Sequence, residues 1–184
     1  MELAGQLLIA MPGMTDPRFT RSVIFICAYS DDGAMGLIVN KPVQDKLLRD
    51  VIEQLSLDTG PALADAPVYF GGPVETDRGF VLHAAEQTSL RASLEVPGAF
   101  SVTGTQDILR DIGNGTGPDK FLFALGYAGW GAGQLEEEIA QNGWLTAPAT
   151  AELMFGTTDD GKWDAAVRSI GIEPVSLSST AGRA

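Results

Sequence analysis

The chain has 184 residues, with 24 acidic against 12 basic side chains and a formal net charge of -12. That length fits one domain able to bury roughly 70% of its unfolded surface. The acidic balance argues against a general nucleic-acid binder or a ligand of anionic membranes, since the basic residues are scattered and form no run. Cys27 is the only cysteine, so no internal disulfide is available. The apolar run Leu7 to Met11 is too short for a signal-peptide core, and no run reaches the ~18 residues of a membrane span. Cytoplasm is the expected compartment.

Taken in chain order, Gln6 to Met11 reads as a strand that Pro12-Gly13 ends, and Asp16-Pro17 opens a turn. In Ser22 to Tyr29, Val23, Phe25 and Cys27 share one face and Ile24 and Ile26 the other, which predicts a strand buried on both sides. Ser30 to Gly33 is a tight connection to a strand over Ala34 to Val39, giving a hairpin. Leu47, Leu48, Val51, Ile52 and Leu55 make a helical stripe. Val68 to Phe70 is a strand broken by Gly71-Gly72-Pro73, and Gly79 to His83 and Ala99 to Thr103 follow as strands. Ile108, Leu109 and Ile112 mark a short helix stopped near Gly113-Asn114-Gly115. Lys120 to Tyr127 is a buried strand and Gln134 to Asn142 a helix. Trp144-Leu145 and Glu152 to Phe155 read as short extended pieces. Lys162 to Ile170 is the last helix, with Asp159 or Asp160 as its cap. The order is not a steady βαβα alternation, so the expected class is α+β with a mostly antiparallel or mixed sheet. One domain spans 1–175, and the small polar residues 176–184 form a mobile tail.

The stretch Gly126-Tyr127-Ala128-Gly129-Trp130-Gly131-Ala132-Gly133 lies between a strand and a helix, where phosphate loops sit. No Lys followed by Ser or Thr closes it, and Glu136, Glu137 and Glu138 fill the first turn of the next helix and would repel a phosphate. A loop that lets backbone pass close to Tyr127 or Trp130 is the better reading, and a neutral ligand pocket at this place is the alternative to it. The three glutamates read as solvated charge, because consecutive helical residues point apart. Trp130, Trp144 and Trp163 are too dispersed for a stacking platform. His83, the only histidine, cannot make a zinc site alone and reads as a hydrogen-bonded structural residue. Cys27, inside a doubly apolar strand, reads as an inert thiol. No metal and no cofactor is implied.

Several segments fit one pattern together: Met11-Pro12-Gly13-Met14 with Asp16-Pro17-Arg18-Phe19, Gly33-Ala34-Met35-Gly36-Leu37-Ile38-Val39-Asn40-Lys41-Pro42, Phe70-Gly71-Gly72-Pro73-Val74, Arg78-Gly79-Phe80-Val81-Leu82-His83, Gly126-Tyr127-Ala128-Gly129-Trp130, and Gly133-Gln134-Leu135-Glu136 with Asn142-Gly143-Trp144-Leu145. From about Gly5 to Ile172 the chain resembles the YqgE/AlgH family of bacterial proteins. The resemblance implies an α+β fold with a strongly curved, barrel-like sheet, flanking helices, and no accepted enzymatic activity or cofactor. One branch carries a name suggesting transcriptional regulation of alginate production, which the charge here disfavours. Many relatives carry His at the place of Tyr29, so if the family has a two-histidine site, this chain does not form it.

The leading expectation is a non-enzymatic ligand-binding or regulatory module using the surface near Asn40, Lys41, Gly71, Gly72, His83 and Trp130, where strands end at glycines. Its partner is a small molecule or a protein rather than nucleic acid or membrane. The rivals are a hydrolase or transferase with His83 as general base, assisted by Asp16 or Glu136, and a protein-interaction partner or transcriptional regulator.

Overall fold

The computed structural model describes residues 2–58, 60, 65–85, 93–104 and 106–177. The first strands are β1 (Gln6–Ala10), β2 (Val23–Ser30) and β3 (Gly33–Ile38), paired antiparallel in that order. In β2 the alternation works as the sequence predicts. Val23, Phe25 and Cys27 enter one apolar cluster, while Ile24 and Ile26 enter another. Val23, Ile24, Phe25 and Ile26 are all 0% exposed, and each such burial contributes about 1.5–3 kcal/mol.

The chain continues through β4 (Pro42–Leu47) into α1 (Leu48–Gln54). β4 was not expected. Among the described residues it pairs only with β5 (Pro67–Phe70), and such an edge position tolerates both a leading proline and its run of exposed polar side chains. Next come β6 (Val74–Ala84), β7 (Ser93–Val96), β8 (Phe100–Thr103) and α2 (Gln106–Gly113). β9 (Phe121–Gly131) is the axis of the sheet. Its first half lies between β5, parallel, and β6, antiparallel, and its second half pairs with β3. α3 (Gln134–Ala140) and β10 (Trp144–Pro148) follow, then a π-helical turn at Glu152–Gly156 and α4 (Asp159–Ser169).

The ten strands form one mixed sheet, with the order β10-β1-β2-β3-β9-β6-β8-β7 and β4 and β5 beside it. The class is α+β. The barrel-like sheet is not formed: among the described residues β10 and β7, at the two ends of the order, do not pair with each other. One apolar cluster collects side chains from both halves of the sheet together with α4. A second lies between α3 and the β1–β3 half, and a third between α1, α2 and the β6–β9 half.

Three local expectations need correction. Gly126 to Gly131 is not a loop but the second half of β9. The glycine is required there for a close crossing. Gly126 has φ +75°, and a Cβ on it would stand 2.3 Å from the Gly72 carbonyl oxygen. Glu152 to Phe155 is not extended but helical, because Met154 N–H reaches the Thr150 carbonyl. The last helix begins at Asp159, and its cap is Thr158, whose hydroxyl accepts from Gly161 N–H at 3.3 Å. The expected tail is outside the described residues from 178 onward; Pro174–Ser176 is a short 3₁₀ turn.

Candidate functional site

Asn40, Lys41, Gly71 and Gly72 do come together, at the crossing of β3, β5 and β9. Phe70 N–H donates to the Lys41 carbonyl (2.8 Å), Ile38 N–H to that of Gly71 (2.9 Å), and Gly71 N–H to that of Leu125 (2.9 Å). Asn40 is a tether: its amide donates to the Arg21 carbonyl at 2.9 Å and accepts from Val23 N–H at 2.9 Å. Burial pulls the Lys41 ammonium below its ordinary value, and the charge of Asp16 opposes this.

His83 and Trp130 are not part of one surface. His83 stands opposite Phe121 at the start of β9, and Trp130 lies nine positions further along that strand. His83 is 0% exposed and both ring nitrogens are engaged. Nδ1 lies 2.9 Å from the Ala84 carbonyl, which can only accept, so Nδ1 carries the proton. Nε2 then accepts from the Thr103 hydroxyl at 2.9 Å. Burial holds the imidazole below its ordinary pKa. The proposed assistants are elsewhere. Asp16 is forked onto Arg18 at 2.7–3.2 Å, and Glu136 accepts from the Tyr29 hydroxyl. No base–acid pair forms around His83 from these residues. Cys27 is buried, and desolvation pushes its thiol far up, as an inert side chain requires.

Trp130 instead belongs to a cleft that the sequence reading did not see. The cleft encloses about 350 Å³ between the β1–β2 loop, α3 and the strand ends. Met14, Asp16, Arg18 and Phe19 form one wall; Trp130, Gln134, Glu138 and Trp144 form the other. Glu138 is its organising residue. Its Oε2 accepts from the indole N–H of Trp130 at 3.0 Å and of Trp144 at 2.7 Å, and its Oε1 accepts from the Gln134 amide at 3.0 Å. The Gln134 carbonyl in turn accepts from Gly131 N–H at 3.0 Å. The two indoles meet edge to face at 6.2 Å, and Phe19 packs edge-on against Trp144 at 6.0 Å. Trp130 and Trp144 gather because β9 ends and β10 begins beside α3, which connects them. The available signal was the Gln134/Glu138 spacing of four, which places both side chains on one helical face. Solvated charge therefore describes Glu137, which is exposed, but not Glu136 or Glu138.

A larger cavity, about 470 Å³, lies between α1, α2 and β6. Val51, Val81, Leu109 and Phe123 give it an apolar floor, and Thr103 brings the His83 pair to its wall. Among the described residues no group of three His, Cys, Asp or Glu side chains is arranged to hold a metal ion. No helix among the described residues is long and apolar enough to cross a membrane.

The AlgH-like family model matches residues 7–175. A UPF0301 protein of Cereibacter sphaeroides is 53% identical over 184 residues, covering 100% of both chains. A UPF0301 protein of Ruegeria pomeroyi is 54% identical over 185 positions, again covering 100% of both. The solution structure of the AlgH protein from Pseudomonas aeruginosa aligns with a TM-score of 0.78 at 42% identity, covering 98% of this chain and 95% of that one. A crystal structure of a Corynebacterium diphtheriae protein aligns with a TM-score of 0.73 at 22% identity, a likeness of fold alone. From the glycine crossing to the Trp144 strand, the family pattern runs through the whole architecture described above, and the chain belongs to the YqgE/AlgH family.

Proposed function

We propose that the chain is a non-enzymatic binding module whose ligand sits in the Trp130–Trp144–Glu138 cleft. The observation that carries this reading is the fixed carboxylate. Glu138 is oriented by three neutral N–H donors at the wall of a cleft, so its carboxylate is held in place before any ligand arrives. Such preorganisation, with aromatic and aliphatic walls around a few placed polar groups, is the general design of ligand sites. The cavity of about 470 Å³ has the volume, over an apolar floor of Val51, Val81, Leu109 and Phe123. His83 takes no part, because its ring is sealed and both nitrogens are bonded.

The indole N–H signals give a direct test. Trp130 and Trp144 line the cleft, while Trp163 donates to the Ala10 carbonyl at 2.8 Å and serves as an internal control. Pools of metabolites and short peptides would be screened by ¹H–¹⁵N spectra. A binder is expected to move the Trp130 and Trp144 indole signals, leave Trp163 in place, and lose affinity in Glu138→Gln. A binder that moves Val81, Thr103 and Leu109 and leaves both cleft indoles unmoved would refute the assignment and point to the larger cavity.

A further inference from the structure

We infer that the cleft takes a small organic cation, an alkylguanidinium or alkylammonium group on an aliphatic stem; this rests on the binding reading above and names its ligand class. All three groups bonded to Glu138 are neutral. A carboxylate offers about four lone-pair sites, so one remains, and its charge meets no counter-ion. None of the ion pairs among the described residues involves Glu138. Among the described residues Arg18 is the only lysine or arginine on the cleft wall, and it is already committed. Its guanidinium is forked onto Asp16 with contacts of 3.0, 3.2 and 2.7 Å and lies 5.6 Å from the centre of the Phe19 ring.

The wall therefore carries a net negative charge, in a chain whose overall charge of -12 draws cations toward it. An anion entering the cleft would face Glu138 with no free positive group to hold it. A neutral polar ligand would leave the charge unanswered. An N–H⁺ donor completes the Glu138 shell with a charge-assisted hydrogen bond. Met14, Phe19 and the indole edges supply the apolar surface along which an alkyl stem packs. The volume, about 350 Å³, is near the small end of ligand sites and suits one such group rather than a long chain.

Agmatine, with a guanidinium and an ammonium on one butyl stem, is the probe, n-butylurea the uncharged comparison, and both are titrated at low ionic strength while the indole signals are followed. Agmatine is expected to shift Trp130 and Trp144 saturably and n-butylurea to leave them nearly unmoved. Glu138→Gln keeps an oxygen acceptor for the indoles, and it should weaken agmatine by about tenfold or more. Arg18→Gln, at an exposed position, frees Asp16 and should strengthen agmatine by about threefold or more. Melting temperatures of both variants confirm that each is folded. Equal binding of agmatine and n-butylurea, or unchanged agmatine affinity in both variants, overturns the cation assignment. If agmatine is silent while an anionic or neutral hit from the screen moves the same indoles, the cleft stands and the cation class falls. If an arginine-containing hexapeptide binds and agmatine does not, the occupant is a protein partner and the small-cation assignment is overturned. If agmatine shifts only signals outside the cleft, both readings fall.

Discussion

His83 illustrates how far a single residue's role depends on what surrounds it. By type it is the natural acid–base candidate, but its proton is fixed on Nδ1 by a carbonyl and its lone pair is used by Thr103. Burial lowers its pKa in the fold, so the native state binds a proton less readily than the unfolded chain does. Below the unfolded value of about 6.5 the unfolded chain takes up a proton that the native state refuses. Stability is then lost as pH falls from there toward the folded pKa, and restored as pH rises. Urea midpoints measured between pH 7.5 and 5 should fall for the wild type. His83→Gln removes this group and should flatten that part of the profile. An unchanged slope in the variant would show that carboxylates carry the whole pH dependence.

At the scale of elements, two junctions hold the fold together. The first is the crossing of Gly71-Gly72 over Gly126-Tyr127. An alanine at Gly126 combines a strained positive φ with a Cβ overlapping the Gly72 carbonyl, and should cost about 2–4 kcal/mol. Gly133 has nearly the same φ, +74°, but its added Cβ meets nothing within 4 Å, so Gly133→Ala should cost only about 1 kcal/mol. Urea unfolding of the pair separates conformational strain from collision. Equal losses would refute the role given to the crossing. The second junction is the seat of α4. Lys162 is 1% exposed and donates to the carbonyls of Val39 at 2.8 Å and Met154 at 3.1 Å, while Asp159 lies 3.7 Å away. Desolvation pulls its pKa down and Asp159 pulls it back up. The π-helical turn presents the Met154 carbonyl to this ammonium. Lys162→Met leaves two buried carbonyls without that donor and should cost about 2–4 kcal/mol. A neutral or stabilising outcome in urea would mean that apolar packing at this position outweighs the lost bonds.

For the molecule as a whole, charge is the dominant unbalanced quantity. Twelve basic residues face 24 acidic ones, and the Arg18, Arg21, Arg78 and Arg110 pairs are largely exposed and individually weak. Self-repulsion of the compact state then exceeds the attraction stored in pairs. Raising NaCl from about 20 mM to about 0.5 M shortens the screening length from roughly 20 Å to roughly 4 Å, and should raise the melting temperature by about 3 °C. A fall would mean that specific ion pairs outweigh the net field. The same salt should weaken agmatine in the cleft, so stability and cation affinity move in opposite directions as ionic strength rises.

Local pattern decided much of this protein. The alternation in Val23 to Cys27 specified a strand buried on two faces, and the stripe of Leu48 and Ile52 specified α1, because period and polarity are properties of neighbouring residues. The stretch from Gly126 was recognisable as a place where backbone passes close, although not which segment passes, while Gly71-Gly72 read only as the break of a strand. β4 and the π-helical turn were not legible, since each depends on what lies beside it rather than on its own propensity. The candidate site was the least legible part. Glu138 reads as one of three solvated carboxylates until β9 and β10 bring two indoles to it, and nothing in the sequence around Lys162 marks the Val39 carbonyl that it meets 123 residues away. A hydrogen bond between distant side chains leaves no periodic trace in a sequence. The sequence determined which faces are apolar, and only the tertiary structure decided which polar groups those faces enclose.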